Sequence, residues 1–195
     1  EKAHIIILPG SKNTIEDLQA LHEMGIVDAI RRAHAHHRTV IGICGGYQMM
    51  GRQVEDPAQV ETKAGAEAGL GLLPVSTVMQ AHKTTRQRQF RFMQGTEICE
   101  GYEIHMGETK AQGQESPLNH FVEGGADGYF LDQRCWGTYL HGILDNPSIV
   151  DTLVAPYTHL PGKMPDHRQH KEEQYDKLAA LLRQHLDMET IYKTL

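Results

Sequence analysis

Two short apolar segments separated by a helical stretch constrain the fold of this 195-residue chain more than any other feature. Residues 4–8 (HIIIL) and 39–43 (TVIGI) are continuous apolar runs, typical of strands buried on both faces of a parallel sheet. Between them, residues 14–36 carry apolar side chains at helical spacing after a capping signal at 14–17, with an interruption predicted at Gly25. This order predicts a parallel pair joined by a right-handed crossover. The sequence therefore predicts an α/β fold with a mostly parallel sheet flanked by helices.

The second apolar segment leads directly into GICGG at residues 42–46, and the helix-like YQMM follows. A nucleophile between small residues at a strand-to-helix turn is typical of a strained elbow, which exposes the side chain at the carboxyl end of the sheet. The amino end of the next helix is expected to stabilise the thiolate of Cys44 and to hold an oxyanion. The alternative is a buried cysteine beside a glycine turn, which the strand–helix–strand context disfavours.

Cys44 needs a base, because an ordinary thiol has a pKa near ~8.5. We expect a histidine that is distant in sequence. His141 ends an apolar strand predicted at residues 136–141 and precedes a glycine, which would bring its ring to the same sheet edge. His105 ends a strand predicted at residues 98–105 and is the second candidate.

The other segments predict the organisation of the chain. Residues 1–155 are predicted to form the main domain, and residues 156–195 a linker and an amphipathic helix packed on it. Residues 51–73 are polar with few periodic signals, and strands are predicted at 75–79 and 127–131. Residues 80–94 are predicted to form an exposed hairpin, which is favoured over a basic nucleic-acid patch. Residues 155–166 are predicted to be a proline-rich linker.

Composition excludes several classes of function. Three widely spaced cysteines without a CxxC pair indicate neither a disulfide framework nor a cysteine zinc site, and they favour the cytoplasm. A formal net charge of -6 argues against nucleic-acid and anionic-membrane partners. The histidine-rich residues 34–37 fit a metal site or a solvated helix end. The second is favoured, so no metal is predicted.

The motifs resemble a known family. GICGGYQ at residues 42–48 resembles the nucleophile motif of class I glutamine amidotransferases, and GTYLHG at 137–142 resembles their histidine motif. With LPGSKNT at 8–14, GLGLLP at 69–74 and GYEIHMG at 101–107, they resemble the cobyric acid synthase family of the cobalamin pathway. The resemblance implies a flavodoxin-like class I amidotransferase fold. It also implies truncation at the N-terminus, since the family's fold has at least one earlier strand.

The resemblance also implies roles for individual residues. Cys44 would attack L-glutamine and form a glutamyl thioester, while His141 would move the proton. Backbone N–H groups at Gly10, Ser11 and Gly45 would form the oxyanion hole. The remaining residues carried over as substrate-binding are Gln48, Tyr47, Tyr102, Glu103 and His105.

The family joins this domain to an ATP-dependent synthetase domain of the same polypeptide, which binds a corrinoid and activates its side-chain carboxylates. No phosphate-binding glycine-rich loop is present here, so no cofactor is expected in this chain. ATP and Mg²⁺ are expected in the synthetase domain. Many class I domains carry a Glu two residues after the histidine, but Ile143 stands there. A Cys–His dyad is therefore expected, with Asp145 a weak candidate for orienting His141.

Three alternatives stay open at this point. One is an amidotransferase like cobyrinate a,c-diamide synthase, which shares the Cys and His motifs. Another is a cysteine hydrolase on the same type of elbow. The third is a catalytically inactive interaction or regulatory module of the same fold.

Overall fold

The structure is a computed structural model that describes residues 3–157 and 167–194. It divides into two compact units, residues 1–143 and 144–195. The boundary predicted between residues 155 and 156 lies inside the second unit and stays a prediction. Within the described ranges, none of the helices has the length and apolar character needed to cross a membrane.

A four-stranded sheet in the first unit carries the nucleophile. Its strands lie in the order β1 (Ile5–Leu8), β2 (Thr39–Ile43), β10 (Cys135–Thr138) and β9 (Tyr129–Asp132). β1 and β10 both pair in parallel with β2, while β9 is antiparallel to β10. The predicted parallel pair is confirmed. β2 is buried along nearly its whole length, as predicted. β1 lies at the edge of the sheet and is only partly buried, with Ile7 43% exposed, so the burial predicted for both of its faces is wrong.

Two helices connect β1 to β2, in agreement with the interruption predicted in the helical stretch. They are α1 (Thr14–Glu23) and α2 (Ile26–Ala35), and between them Gly25 adopts a φ of 69°. The cap of α1 is Asn13, whose side chain accepts from the N–H of Glu16. The cap therefore lies one residue before the predicted signal, because the asparagine carboxamide reaches the first turn.

The histidine-rich residues 34–37 lie at the carboxyl end of α2. His36 follows the last helical residue, and both His36 and His37 are exposed, as a solvated helix end requires. In the described part of the chain, no group of three His, Cys, Asp or Glu side chains is placed to hold a metal ion.

A second sheet is built on one long hairpin. β5 (Val75–Phe92) and β6 (Cys99–Ala111) pair antiparallel, with an irregular register between Met79 and Thr84. The hairpin predicted within residues 80–94 is wrong in detail, because that segment is a single strand whose partner is β6. The remaining strands of this sheet are β3 (Gln53–Glu55), β4 (Ala66–Ala68), β7 (Asn119–Phe121), β8 (Ala126–Asp127) and β11 (Leu140–His141).

The chain changes sheets immediately before His141. The strand predicted over residues 136–141 is split into β10, which belongs to the first sheet, and β11, which pairs antiparallel with β6 in the second. In that pairing His141 lies opposite Tyr102. The second sheet thus carries the histidine to the edge where β2 ends.

A buried carboxylate fixes this crossing. Asp127 accepts from the hydroxyl of Thr138, from the backbone N–H of Tyr139 at 3.0 Å and from the side-chain amide of Asn119 at 3.0 Å. All of these groups are buried, so each bond is made in a medium of low polarity. The network holds the segment that leads to His141 in one conformation.

The second unit is helical. It contains α4 (Pro147–Val154), a 3-10 turn at Ala155–Tyr157, α5 (His167–His185) and α6 (Met188–Thr194). The predicted C-terminal helix is confirmed as α5. The apolar residues Tyr175, Leu178, Leu181 and Leu182 of α5 are exposed, and so is Leu186, which follows the helix. Most of the linker predicted at residues 155–166 lies outside the described residues.

Candidate active site

Cys44 lies between β2 and helix α3 (Gly45–Met50). Its φ of 54° puts a non-glycine residue in the left-handed region. This strain costs about 1–3 kcal/mol and is typical of functional sites. The N–H of Cys44 donates to the carbonyl of Thr138 at 2.8 Å, which fastens the elbow to β10. The strained elbow expected from GICGG is present.

Close backbone approach explains two glycines of this motif. A Cβ on Gly46 would lie 1.9 Å from the carbonyl oxygen of Leu8, at the end of β1. A Cβ on Gly42 would lie 2.6 Å from the backbone of Gly46 and of Tyr47. A side chain at either position would therefore force α3 away from the sheet.

His141 approaches Cys44 beside Gly10. The position that a Cβ on Gly10 would take is 3.2 Å from Cε1 of His141 and 4.0 Å from Sγ of Cys44. The other candidate, His105, stacks on Tyr139 at a centroid distance of 3.8 Å, and its Nδ1 lies 2.9 Å from the carbonyl oxygen of Gly107. The geometry thus favours His141 as the partner of Cys44.

One backbone carbonyl contacts both members of this pair. The Cys44 thiol donates to the carbonyl oxygen of Ile104 over 3.4 Å, and the imidazole of His141 donates to the same oxygen. The ring of Tyr102 stacks on His141 with 5.3 Å between centroids and 11° between planes. Ile143, at the position of the missing acid, is fully buried. A peptide carbonyl and an aromatic ring therefore contact His141 directly.

Burial favours the uncharged form of both side chains. It raises the pKa of the Cys44 thiol; the Gly45 N–H opposes this, while the charges of Glu61 and Asp127 add to it. Burial also lowers the pKa of His141, against the effect of the Ile104 carbonyl. The thiolate stabilisation expected from the helix is thus outweighed by burial. A neutral imidazole beside a neutral thiol is suited to general-base activation.

The residues predicted for the oxyanion hole gather around Cys44. A Cβ on Gly45 would lie 2.7 Å from the backbone nitrogen of Ser11, so the loop after β1 packs directly against the elbow. Gly10 occupies the position beside Cys44 and His141. The structure therefore brings Gly10, Ser11 and Gly45 together.

A cavity of about 650 Å³ opens on the pair, and its wall includes Gln48, Tyr102 and His105. Gln48 is only 2% exposed, and both ends of its amide are engaged. Its oxygen accepts from the Thr14 hydroxyl at 2.9 Å, and its nitrogen donates to the Tyr139 hydroxyl at 3.2 Å. Gln48 therefore shapes the wall as well as facing the cavity.

Tyr47 and Glu103 do not line this cavity; both line a second cavity of about 780 Å³, together with His105 and Tyr139. Tyr47 packs edge-to-face on Tyr139 at 5.3 Å. Glu103 accepts from Arg88 at 2.6 Å. Burial acts to raise the pKa of Glu103, but hydrogen bonds from His105 and Arg88 lower it overall. These two predicted substrate residues are thus placed as supports of the neighbouring side chains.

Several wall residues were not predicted: Lys12, Thr14, Glu61, Lys83 and Ile104. Lys12 and Thr14 belong to the LPGSKNT segment that carried the family resemblance, which is a usable signal. Glu61 lies in a stretch without periodicity, and Ile104 acts through its backbone, so neither had a signal in the residue pattern.

Comparison with known proteins gives a consistent result. Residues 1–149 match the family described as the CobB/CobQ-like glutamine amidotransferase domain. The chain is 55% identical over 197 residues to a cobyric acid synthase of Bacteroides fragilis and 53% identical over 200 residues to one of Parabacteroides distasonis. It is 42% identical over 205 residues to one of Listeria monocytogenes. The alignments cover 100%, 100% and 98% of this chain but 40% of each relative, so the chain spans about 40% of their length.

Solved structures share the fold. A glutamine amidotransferase superposes with a TM-score of 0.60 at 16% identity, covering 78% of each chain. PurLQS from Thermotoga maritima superposes with a TM-score of 0.56 at 13% identity, covering 80% of each chain. The predicted α/β fold of class I glutamine amidotransferases is confirmed. Two of its parallel pairs, β1–β2 and β2–β10, lie in the smaller sheet, and the larger sheet is antiparallel apart from the parallel β3–β5 pair.

Proposed function

This chain belongs to the CobB/CobQ-like glutamine amidotransferase domain family, and from that premise we propose that its Cys44 and His141 hydrolyse glutamine. One observation carries the proposal. Cys44 stands on a strained elbow, and the imidazole of His141 lies beside it next to Gly10.

In the first half-reaction, His141 accepts the thiol proton and the Cys44 sulfur attacks the δ-carbon of glutamine. The oxygen of the tetrahedral intermediate becomes negatively charged, and N–H groups of Gly45 and of the Gly10–Ser11 backbone stabilise it. The carbon–nitrogen bond then breaks. The nitrogen takes the proton from His141 and leaves as ammonia, so that a glutamyl thioester remains on Cys44.

In the second half-reaction, the neutral His141 accepts a proton from water, which attacks the thioester carbonyl. The carbon–sulfur bond breaks, the proton returns to sulfur, and glutamate leaves. The same imidazole thus serves as base in both halves. The Ile104 carbonyl and the Tyr102 ring hold its orientation throughout.

We further propose that the chain is the glutaminase part of a cobyric acid synthase. The relatives with 42–55% identity carry that name and are longer than this chain. The remainder would be the ATP-dependent synthetase domain, which uses ATP and Mg²⁺ and receives the ammonia. The corrinoid substrate would be adenosylcobyrinic acid a,c-diamide. Three buried cysteines that lie outside any disulfide support a reducing compartment, the cytoplasm.

The test uses the full-length protein and two nitrogen sources. Cys44→Ala should abolish corrinoid amidation with glutamine and leave amidation with added ammonia intact. Cys135→Ala, which removes a buried thiol from β10, is the matched control and should retain both. A folded Cys44→Ala protein that loses both reactions, or keeps both, would refute the role of Cys44.

Two further measurements separate the alternatives. A full-length protein that amidates cobyrinic acid but not its a,c-diamide would instead support the cobyrinate a,c-diamide synthase class. A glutamine-analogue electrophile should label Cys44 covalently. Absence of labelling in the folded full-length protein would identify an inactive module.

A further inference from the structure

One carboxylate in the wall of the Cys44 cavity, that of Glu61, has no role in the steps above. No ion pair to Glu61 is formed by the Lys, Arg or His residues within the described ranges. We propose that Glu61 binds the α-ammonium group of glutamine and selects substrates that carry it. This proposal rests on the glutaminase function proposed above and names a binding contact for that reaction.

The position of Glu61 fits the length of the substrate. Its Oε2 accepts from the backbone N–H of Thr14 at 2.9 Å. The hydroxyl of Thr14 lies 3.2 Å from the position of a Cβ on Gly45, which is the residue after Cys44. One residue therefore spans the gap between the carboxylate and the elbow. In extended glutamine the α-nitrogen is four bonds from the δ-carbon, about 5 Å away. Because Cys44 and Glu61 line the same cavity, a glutamine with its δ-carbon at Cys44 can direct its ammonium group along the wall that carries Glu61.

The backbone of Glu61 is held in place before any substrate binds. The carboxylate of Asp56 is fully buried and accepts from the backbone N–H groups of Val60, Glu61 and Thr62 at 2.7, 2.8 and 3.0 Å. Such charge-assisted bonds order a loop strongly. Glu61 is therefore a preorganised acceptor, unlike a carboxylate on a mobile surface side chain.

The electrostatics of this position favour a cation. Burial raises the pKa of Glu61, and the negative charges of Asp56 and Asp17 raise it further against the bonds from Thr14. A bound ammonium group relieves this repulsion. Lys12 and Lys83, in the same wall, are available for the α-carboxylate of the substrate. The cavity thus offers opposite charges for the two ends of an amino acid.

The same contact links recognition to activation. Burial is the main cause of the raised pKa of the Cys44 thiol, and the negative charge of Glu61 raises it further. An ammonium ion bound at Glu61 offsets that charge and makes the thiol easier to deprotonate. A correct substrate therefore assists the formation of its own nucleophile.

The test compares glutamine with its deamino analogue, 4-carbamoylbutyrate, in ammonia release by the full-length protein. Wild-type protein should prefer glutamine in kcat/KM by roughly 10- to 100-fold, the value of a hydrogen bond between charged groups. Glu61→Gln should lower kcat/KM for glutamine by that factor and leave the analogue within about 3-fold. Glu23→Gln, which removes an exposed carboxylate at the end of α1, should leave both substrates unchanged.

Each outcome decides the proposal. Equal losses on both substrates in Glu61→Gln would show that Glu61 only supports α1, and would overturn it. A wild-type protein that accepts the analogue within about 3-fold of glutamine would overturn it without any variant, even if Glu61→Gln fails to fold. A wild-type protein that releases no ammonia from glutamine would instead refute the glutaminase function, and the Glu61 proposal with it.

Discussion

Replacement of Gly46 by alanine is the sharpest test of how the elbow positions Cys44. The new Cβ would lie 1.9 Å from the carbonyl oxygen of Leu8 and 2.4 Å from its carbonyl carbon. Ordinary contact requires the end of β1 and helix α3 to separate by more than about 1 Å. Overpacking of this kind destabilises a fold by about 1–3 kcal/mol. Because Cys44 and Gly45 move with α3, and Gly10 with β1, we expect a loss of roughly 100-fold in kcat.

The assay is ammonia release from saturating glutamine by the full-length protein, with urea unfolding measured in parallel. Gly71→Ala is the control, because its Cβ would meet nothing within 4 Å although Gly71 has a φ of 66°. It should cost about 1–2 kcal/mol of stability and leave kcat unchanged. A folded Gly46→Ala protein with kcat within about 3-fold of wild type would refute the reasoning.

Three further predictions follow from the surroundings of the pair. Because burial lowers the pKa of His141, kcat/KM for glutamine should decline only at a pH below the ordinary pKa of an imidazole. The decline follows from protonation of the imidazole, which then cannot accept a proton; a pH profile with its acid limb above neutrality would contradict this. Tyr102→Ala should lower kcat roughly 10-fold while Tyr102→Phe retains it, since the stack needs the ring and not the hydroxyl. An equal loss in both variants would implicate the hydroxyl. Arg88→Met should destabilise the fold by about 3 kcal/mol in urea unfolding, because the largely buried Glu103 loses its cation. Adding Glu103→Gln should recover part of that loss, and no recovery would contradict a stabilising ion pair.

The parallel part of the fold was predictable because its signal is local. Buried parallel strands are apolar throughout, and β1 and β2 show this within a few residues. The long hairpin of β5 and β6 was only partly predictable. Most of the outer half of β5 is exposed and polar, so neither apolar continuity nor alternation marks it. Only its pairing with β6 defines it as a strand.

The site residues also differ in how far the local sequence could predict them. Cys44 was predictable because the strand-to-helix turn leaves glycines at fixed positions, and His141 because it ends a strand. The role of Glu103 in substrate binding stays a prediction. Glu103 does not line the Cys44 cavity, although Tyr102, Ile104 and His105 do, and its carboxylate contacts Arg88. Which face meets the cavity depends on the pairing of β6 with β11, which the sequence does not encode locally.

The carbonyl of Ile104 has a consequence for how this site can change. Every amino acid supplies a peptide carbonyl, so substitution at position 104 leaves the acceptor for His141 in place. Any side chain that is compatible with the strand can therefore occupy this position. A shift of β6 by one residue against β11 would remove the acceptor at once, and Gly101 guards against this, since its Cβ would lie 2.8 Å from the carbonyl oxygen of His141. Insertions and deletions in β6, more than point substitutions, are therefore the changes that would remove the acceptor of His141. The position of this acceptor is set by the register of two strands.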